Sequence, residues 1–129
     1  MNFGLAIKTC FSKYTDFSSR ASRSEYWNFT LFIIIVVFIT DIIDSQIAGV
    51  SYWEYYDLYG PASIIFEILI FIPATAVSVR RLHDLNKSGW LILLTITIIG
   101  LIPLIYWACK KGDDNGNKFG PSPIHLKKN

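Results

Sequence analysis

Three long apolar stretches exclude every lysine and arginine, and they constrain this chain more than any other feature. They fall at about residues 27–43, 61–79 and 90–109. A soluble domain distributes charge along the outer faces of its elements, whereas here all 12 basic residues are expelled from whole segments. At about 1.5 Å of rise per residue, each stretch covers most or all of a hydrocarbon core roughly 30 Å thick. The composition agrees: 129 residues, 52% hydrophobic, only 17% charged, with mean hydropathy +0.38. The expected fold is therefore all-α, an integral membrane helical bundle with three transmembrane helices. It forms one membrane domain over 1–129, with a segment 1–26 before the first span and a polar tail 110–129. The first apolar run follows a polar stretch, and no small-residue cleavage site succeeds it. It reads as a retained span, not a cleaved signal.

Local patterns refine this layout. In residues 1–15, Phe3, Ile7, Cys10, Phe11 and Tyr14 recur at helical spacing, with Lys8, Ser12 and Lys13 on the other side. This predicts a short amphipathic helix that either lies in the membrane interface or packs on the bundle. Ser22 and Glu25 have capping-box spacing and predict a helix start near Ser22 or Arg23. Tyr26, Trp27, Trp90, Tyr106 and Trp107 sit at span ends, and Tyr52, Trp53, Tyr55, Tyr56 and Tyr59 crowd the first loop. Amphipathic rings favour the headgroup level.

Lys8, Lys13, Arg20 and Arg23 precede the first span; Arg80, Arg81 and Lys87 follow the second; the loop between carries Glu54 and Asp57 and no basic residue. The positive-inside rule places the N-terminus in the cytoplasm. The tail conflicts with three crossings, because Lys110, Lys111, Lys118, Lys127 and Lys128 would then lie outside. A full third span is the expected form. The alternative is a re-entrant segment turning at Gly100 to Pro103, which protein would have to shield.

Four motifs, taken in order, carry a resemblance. Asp16-Phe17-Ser18-Ser19-Arg20-Ala21-Ser22-Arg23-Ser24-Glu25-Tyr26-Trp27 precedes the first span. Arg80-Arg81-Leu82-His83-Asp84 follows the second. Ser88-Gly89-Trp90 opens the third, and Gly116-Asn117-Lys118-Phe119-Gly120-Pro121-Ser122-Pro123 lies in the tail. Together they resemble the YhaH-like small bacterial inner-membrane family, a domain of unknown function numbered 805. Ser19 and Leu91 depart from that pattern, which usually has glycine and often a second tryptophan there. The resemblance implies a multi-pass location in the bacterial inner membrane and no reaction, substrate or cofactor.

Few residues invite chemistry. His83 and Asp84 lack the further ligands a metal needs, since only His125 remains, so no metal or cofactor is expected and the two read as holding their short loop. Cys10 and Cys109 show neither pairing nor metal spacing. No nucleophile elbow or phosphate loop occurs, so an enzyme is not expected. The basic residues are dispersed around spans, which speaks against nucleic acid. Arg20, Arg23, Glu25, Arg80, Arg81, His83 and Asp84, with Lys87 nearby, form a cluster expected at the cytoplasmic surface. It reads either as ion pairs joining two loops or as a pocket for anionic lipid headgroups. Inside the spans, Asp41 and Glu67 are placed in the same half of antiparallel helices. They either bind a cation or proton, or Glu67 glues the bundle by bonding to Thr95, Thr97 or a tyrosine. The expected role is a non-enzymatic module associating with membrane lipids and with itself or another membrane protein. A subunit of an oligomeric cation or proton channel, and an anionic-lipid sensor, are the alternatives.

Overall fold

A computed structural model describes residues 1–55 and 60–124. Of the residues singled out above, Tyr56, Asp57, Tyr59, His125, Lys127 and Lys128 fall outside them. The described chain is helical, with no strand beyond an isolated bridge between Asn117 and Gly120. In order come α1 (Phe3–Ser12), α2 (Arg23–Ala48), a single turn α3 (Tyr52–Tyr55), α4 (Pro61–Asp84), a 3₁₀ helix (Gly89–Ile96) and α5 (Ile98–Cys109). Two of these, α2 and α4, are long and apolar enough to cross a bilayer.

These two form the antiparallel hairpin on which everything else is built. Ser22 caps α2 as the sequence predicts, its hydroxyl accepting from the Glu25 amide at 3.2 Å. The other half of the capping box is absent, because the Glu25 carboxylate turns inward to Arg80. The helix continues past Asp41 and Asp44 and ends at Gly49, whose φ of 71° is left-handed and suits a residue without a Cβ. Pro61 starts α4, where its missing N–H costs nothing. Pro73, further along, removes the donor for the carbonyl four residues back, Leu69. The Tyr14 hydroxyl donates to that orphaned oxygen.

The first helix packs on this hairpin through its small residues, Ala6 and Cys10, both fully buried. Phe11 meets Phe29 edge-on at 5.7 Å. Cys10, Ala21, Phe29, Ile70 and Val77 make the common core. Phe3, Leu5 and Phe11 stay exposed, so the helix packs on the bundle and still presents an apolar side outward.

The third apolar stretch is not one helix. The chain runs from Gly89 as a 3₁₀ helix, becomes extended at Thr97 (φ −107°, ψ 140°), and returns as α5. Thr97 makes the reversal, its hydroxyl capping α5 by accepting from the Gly100 amide at 3.0 Å. Gly100 and Pro103, where the sequence suggested a turn, lie inside α5. A Cβ on Gly100 would lie 2.8 Å from the Leu94 side chain, so glycine is what lets the returning helix press on the outgoing one. Both ends of the stretch sit at the same end of the α2–α4 hairpin. Gly89 abuts Val79 and His83, and the Ala108 carbonyl accepts from the Trp27 indole at 3.0 Å. The two arms, 8 and 12 residues long, reach roughly 16 and 18 Å, about half a hydrocarbon core. At the tip, Ile98 is 86% exposed, beside equally bare Ile96 and Ile99.

Candidate functional site: a buried arginine cluster and an opposite carboxylate end

The start of α2, the end of α4 and the connector before α2 bring most of the predicted cluster together. Arg80 donates to Glu25 at 2.5 Å, and both side chains are at most 2% exposed. Asp84 is shared: Arg20 approaches one oxygen at 3.0 Å and Arg81 the other at 2.6 Å. Burying a charge is costly unless it is paired and hydrogen-bonded, and here three guanidinium groups share two carboxylates, which leaves one positive charge in excess. The pairing joins the connector to α4 across 64 residues, while the Ala21 amide donates to the Arg80 carbonyl at 2.9 Å.

The remaining guanidinium donors reach the tail. Arg20 donates to the carbonyls of Asp113 at 2.7 Å, Asn115 at 2.9 Å and Gly120 at 3.0 Å. Arg81 donates to those of Trp107 at 3.2 Å, Ala108 at 3.4 Å and Lys110. Arg23, exposed, donates to the Cys109 carbonyl at 3.1 Å. Carbonyls at a helix end and in irregular chain need donors, and fork-shaped guanidinium groups supply several at once. Gly112 packs directly on the Asp84 carboxylate, where any Cβ would collide with it. The Asp113 amide donates to the Asp84 carbonyl at 2.8 Å.

His83 does not bond to Asp84. Its Nδ1 lies 3.1 Å from the Ser19 carbonyl, and its ring stacks on Phe119 at 3.8 Å and 5°. Asn117 donates to the His83 carbonyl at 3.0 Å. Beside it, Asp16 organises the connector by accepting from both Ser18 and Ser19. Partial burial pushes its carboxyl up, but the Ser19 hydroxyl and the Ser18 and Ser19 amides outweigh that and hold it below the usual carboxylate range.

Cys10 lies against the same cluster, 3.6 Å from Glu25 and 3.9 Å from Arg80. Burial first, then the negative charge of Glu25, pushes its thiol up to about 12 against the partial counter-effect of Arg80. A thiol held protonated is a poor nucleophile. Cys109 is free and exposed. Among the described residues, no group of His, Cys, Asp and Glu could hold a metal ion.

The other end of the hairpin has carboxylates and, among the described residues, no cation beside them. Asp44 accepts from the Ala62 amide at 2.8 Å, the Ser63 amide at 2.9 Å and the Ser63 hydroxyl at 2.6 Å. It thus caps α4 from a different helix, which Gly60 at the cap position has no side chain to do. A Cβ on Gly60 would drive into Asp44 and the Tyr55 hydroxyl. Asp41 joins through the Ser63 hydroxyl at 3.1 Å.

Glu67 does not join this group. It is exposed on α4, with no hydrogen-bond or ion-pair partner among the described residues. Thr95 and Thr97 bond instead to the carbonyls of Ile92 and Leu94 in their own helix. The expected bond between Glu67 and either threonine is therefore absent, because the third stretch turns back at Thr97 against the opposite half of α4.

Sequence reasoning missed four participants. They are Asp44 as a cap for α4, Tyr14 as partner of Leu69, the tail carbonyls as arginine partners, and Phe119 stacked on His83. Pro73 gave a local signal for Leu69, since a proline in a helix orphans the carbonyl four residues back. Backbone carbonyls in the tail leave no trace in residue types.

Comparison with known proteins identifies the family. Residues 14–121 match the family described as "Protein of unknown function (DUF805)". The chain is 39% identical over 111 residues to the protein called "Inner membrane protein YhaH" of Escherichia coli strain K12, covering 85% of this chain and 88% of that one. It is 36% identical over 111 residues to "Inner membrane protein YhaI" of the same strain, covering 85% and 87%. No solved structure matches. The matched region takes in Arg20, Glu25, Arg80, Arg81, Asp84 and the clasped part of the tail, and the chain belongs to the DUF805 family of inner-membrane proteins.

Proposed function

We propose that this protein is a non-enzymatic module of the bacterial inner membrane that works through association of its helices with itself or with another membrane protein. The observation that carries the reading is Glu67. It lies six residues inside α4, roughly 9 Å from the helix start, on an exposed face among Ile64, Ile65, Ile68 and Phe71. A carboxyl group facing hydrocarbon is costly, so that face is expected to meet protein.

In the proposed topology α2 and α4 cross the bilayer, and the third stretch enters and leaves on the cytoplasmic side. The bare isoleucines at its tip suit lipid. The internal arm contacts, Thr97 cap and Gly100 approach satisfy or shield backbone that hydrocarbon cannot. This arrangement also removes the charge conflict noted in the sequence. Lys110 and Lys118 lie beside Arg81 and His83, so these two lysines join the arginines at one end of the hairpin, in keeping with the positive-inside rule.

The test is the mass of the purified chain in lipid nanodiscs. Glu67→Ala is expected to shift it from an assembly toward one copy, and an unchanged mass would refute the reading. A fluorescent reporter placed after residue 129 is expected to light up on the cytoplasmic side; a periplasmic signal would contradict the re-entrant topology.

A further inference from the structure

We propose that the groove between α4 and the 3₁₀ helix holds an acyl chain of an anionic phospholipid, with its headgroup beside Lys118. The groove encloses about 490 Å³, within the range of small-molecule sites. Thr75, Val79 and His83 line one wall at intervals of four along α4, and Ile92 and Leu93 line the other. From His83 to Thr75 it follows the helix for roughly 12 Å. It therefore runs along the hairpin axis, the direction in which a lipid chain lies in a leaflet.

The walls argue for a hydrocarbon occupant over a peptide. A peptide would bring N–H and C=O groups needing partners. Along the walls, the Thr75 hydroxyl is already spent on the Phe71 carbonyl at 2.8 Å and His83 Nδ1 is engaged with Ser19, while Ser88, Trp90 and His83 Nε2 gather at the His83 end, where a headgroup and not a chain would meet them. An acyl chain asks for no partner.

The mouth argues for a negative headgroup. At the end of the groove lined by His83 and Phe119 these two rings stack, and the Lys118 ammonium sits 5.1 Å from the Phe119 ring. Lys118 is exposed and has no carboxylate partner among the described residues, unlike Lys111, which pairs with Asp114 at 3.0 Å. Each basic group near a membrane surface favours anionic lipid. The buried arginines do not serve this role, because Arg20 and Arg81 spend their donors on Asp84 and the tail, and Arg80 lies inside, paired with Glu25.

This inference rests on the bilayer insertion proposed above and not on association. The test uses the full chain equilibrated with vesicles of equal parts phosphatidylglycerol and phosphatidylethanolamine, then native mass spectrometry. The expected result is one retained phosphatidylglycerol per chain. Thr75→Trp, which fills the inner end, is expected to lower retention at least about fivefold. Leu93→Trp, filling the groove from the other wall, should act alike and stands in if the first variant fails to fold. Lys118→Gln is expected to keep the lipid while losing about fivefold of the preference for phosphatidylglycerol. Wild-type chain that retains no lipid would overturn the site. So would equal retention in a folded, filled variant, or a preference unmoved by Lys118→Gln. A monomer carrying the lipid would remove association alone, and an assembly without it would remove this site alone.

Discussion

The two ends of the α2–α4 hairpin solve the same problem with different chemistry. At one end, Glu25 and Asp84 are buried against Arg20, Arg80 and Arg81. At the other, Asp44 is equally buried with no cation beside it among the described residues, held by two amides and a hydroxyl at the start of α4. Each end holds one helix start and one helix end, and the difference follows which of these the carboxylates reach. A helix N-terminus presents free N–H groups that suit a carboxylate directly. At the arginine end Asp84 closes α4, where carbonyls and not N–H groups are free, and Glu25 turns from the first turn of α2 into the core, so both pair with arginines, and Arg20 and Arg81 have donors left over for the tail. Ion pairs therefore tie distant segments together at the arginine end, while a capping contact fixes the hairpin at the other.

The largest effect that would break this comparison comes from the buried pairs. Glu25→Ala is expected to leave Arg80 charged and uncompensated, destabilising the chain by about 3–5 kcal/mol. The double change Glu25→Leu with Arg80→Met is expected to recover most of that loss, read as unfolding midpoints in detergent. If the double variant is as unstable as the single one, the pair has a role beyond mutual neutralisation.

A smaller effect is expected at the carboxylate end. Asp44→Ala removes three hydrogen bonds to one charged group and should cost about 2 kcal/mol, with Asp44→Asn costing about half. Hydrogen exchange should quicken first at Ala62 and Ser63. Exchange that quickens equally at Arg80 and Arg81 would mean that the two ends are one cooperative unit.

The smallest effect is a pH dependence at the arginine end. The Cys10 thiol is pushed from its ordinary value of 9.0 up to about 12 in the folded chain. Between those values the unfolded chain loses the proton and the folded chain keeps it. Its contribution to stability is thus complete below pH 9 and declines as pH rises toward 12. From pH 9 to 10 the expected loss is under about 1 kcal/mol. The slope should vanish in Cys10→Ala; a slope that persists belongs to other groups. In the native chain, maleimide is expected to label Cys109 and spare Cys10.

Much of the fold was legible, and for clear reasons. Expulsion of lysine and arginine from long stretches marks α2 and α4 whatever their surroundings. The Ser22 cap is local and formed as read. The arginine cluster was legible as a set of residues, but not as a set of bonds, because Glu25 had a local use in a capping box and took a distant one with Arg80. The third stretch was misleading. Its hydropathy matches a span, yet hydropathy carries no record of a chain reversal made by one threonine cap and one close glycine contact. Glu67 was legible as costly and not as lacking a partner among the described residues, since the threonines expected to bond to it lay on the segment that turns back.

The sequence alone thus determined the hairpin, its apolar faces and the asymmetry of its charges, because each depends on transfer of side chains from water and on spacing along one helix. Only the tertiary structure decided where the third apolar stretch goes and what the arginines hold. Those outcomes depend on backbone carbonyls and on contacts between segments up to 100 residues apart, and neither is written in the identity of any single residue.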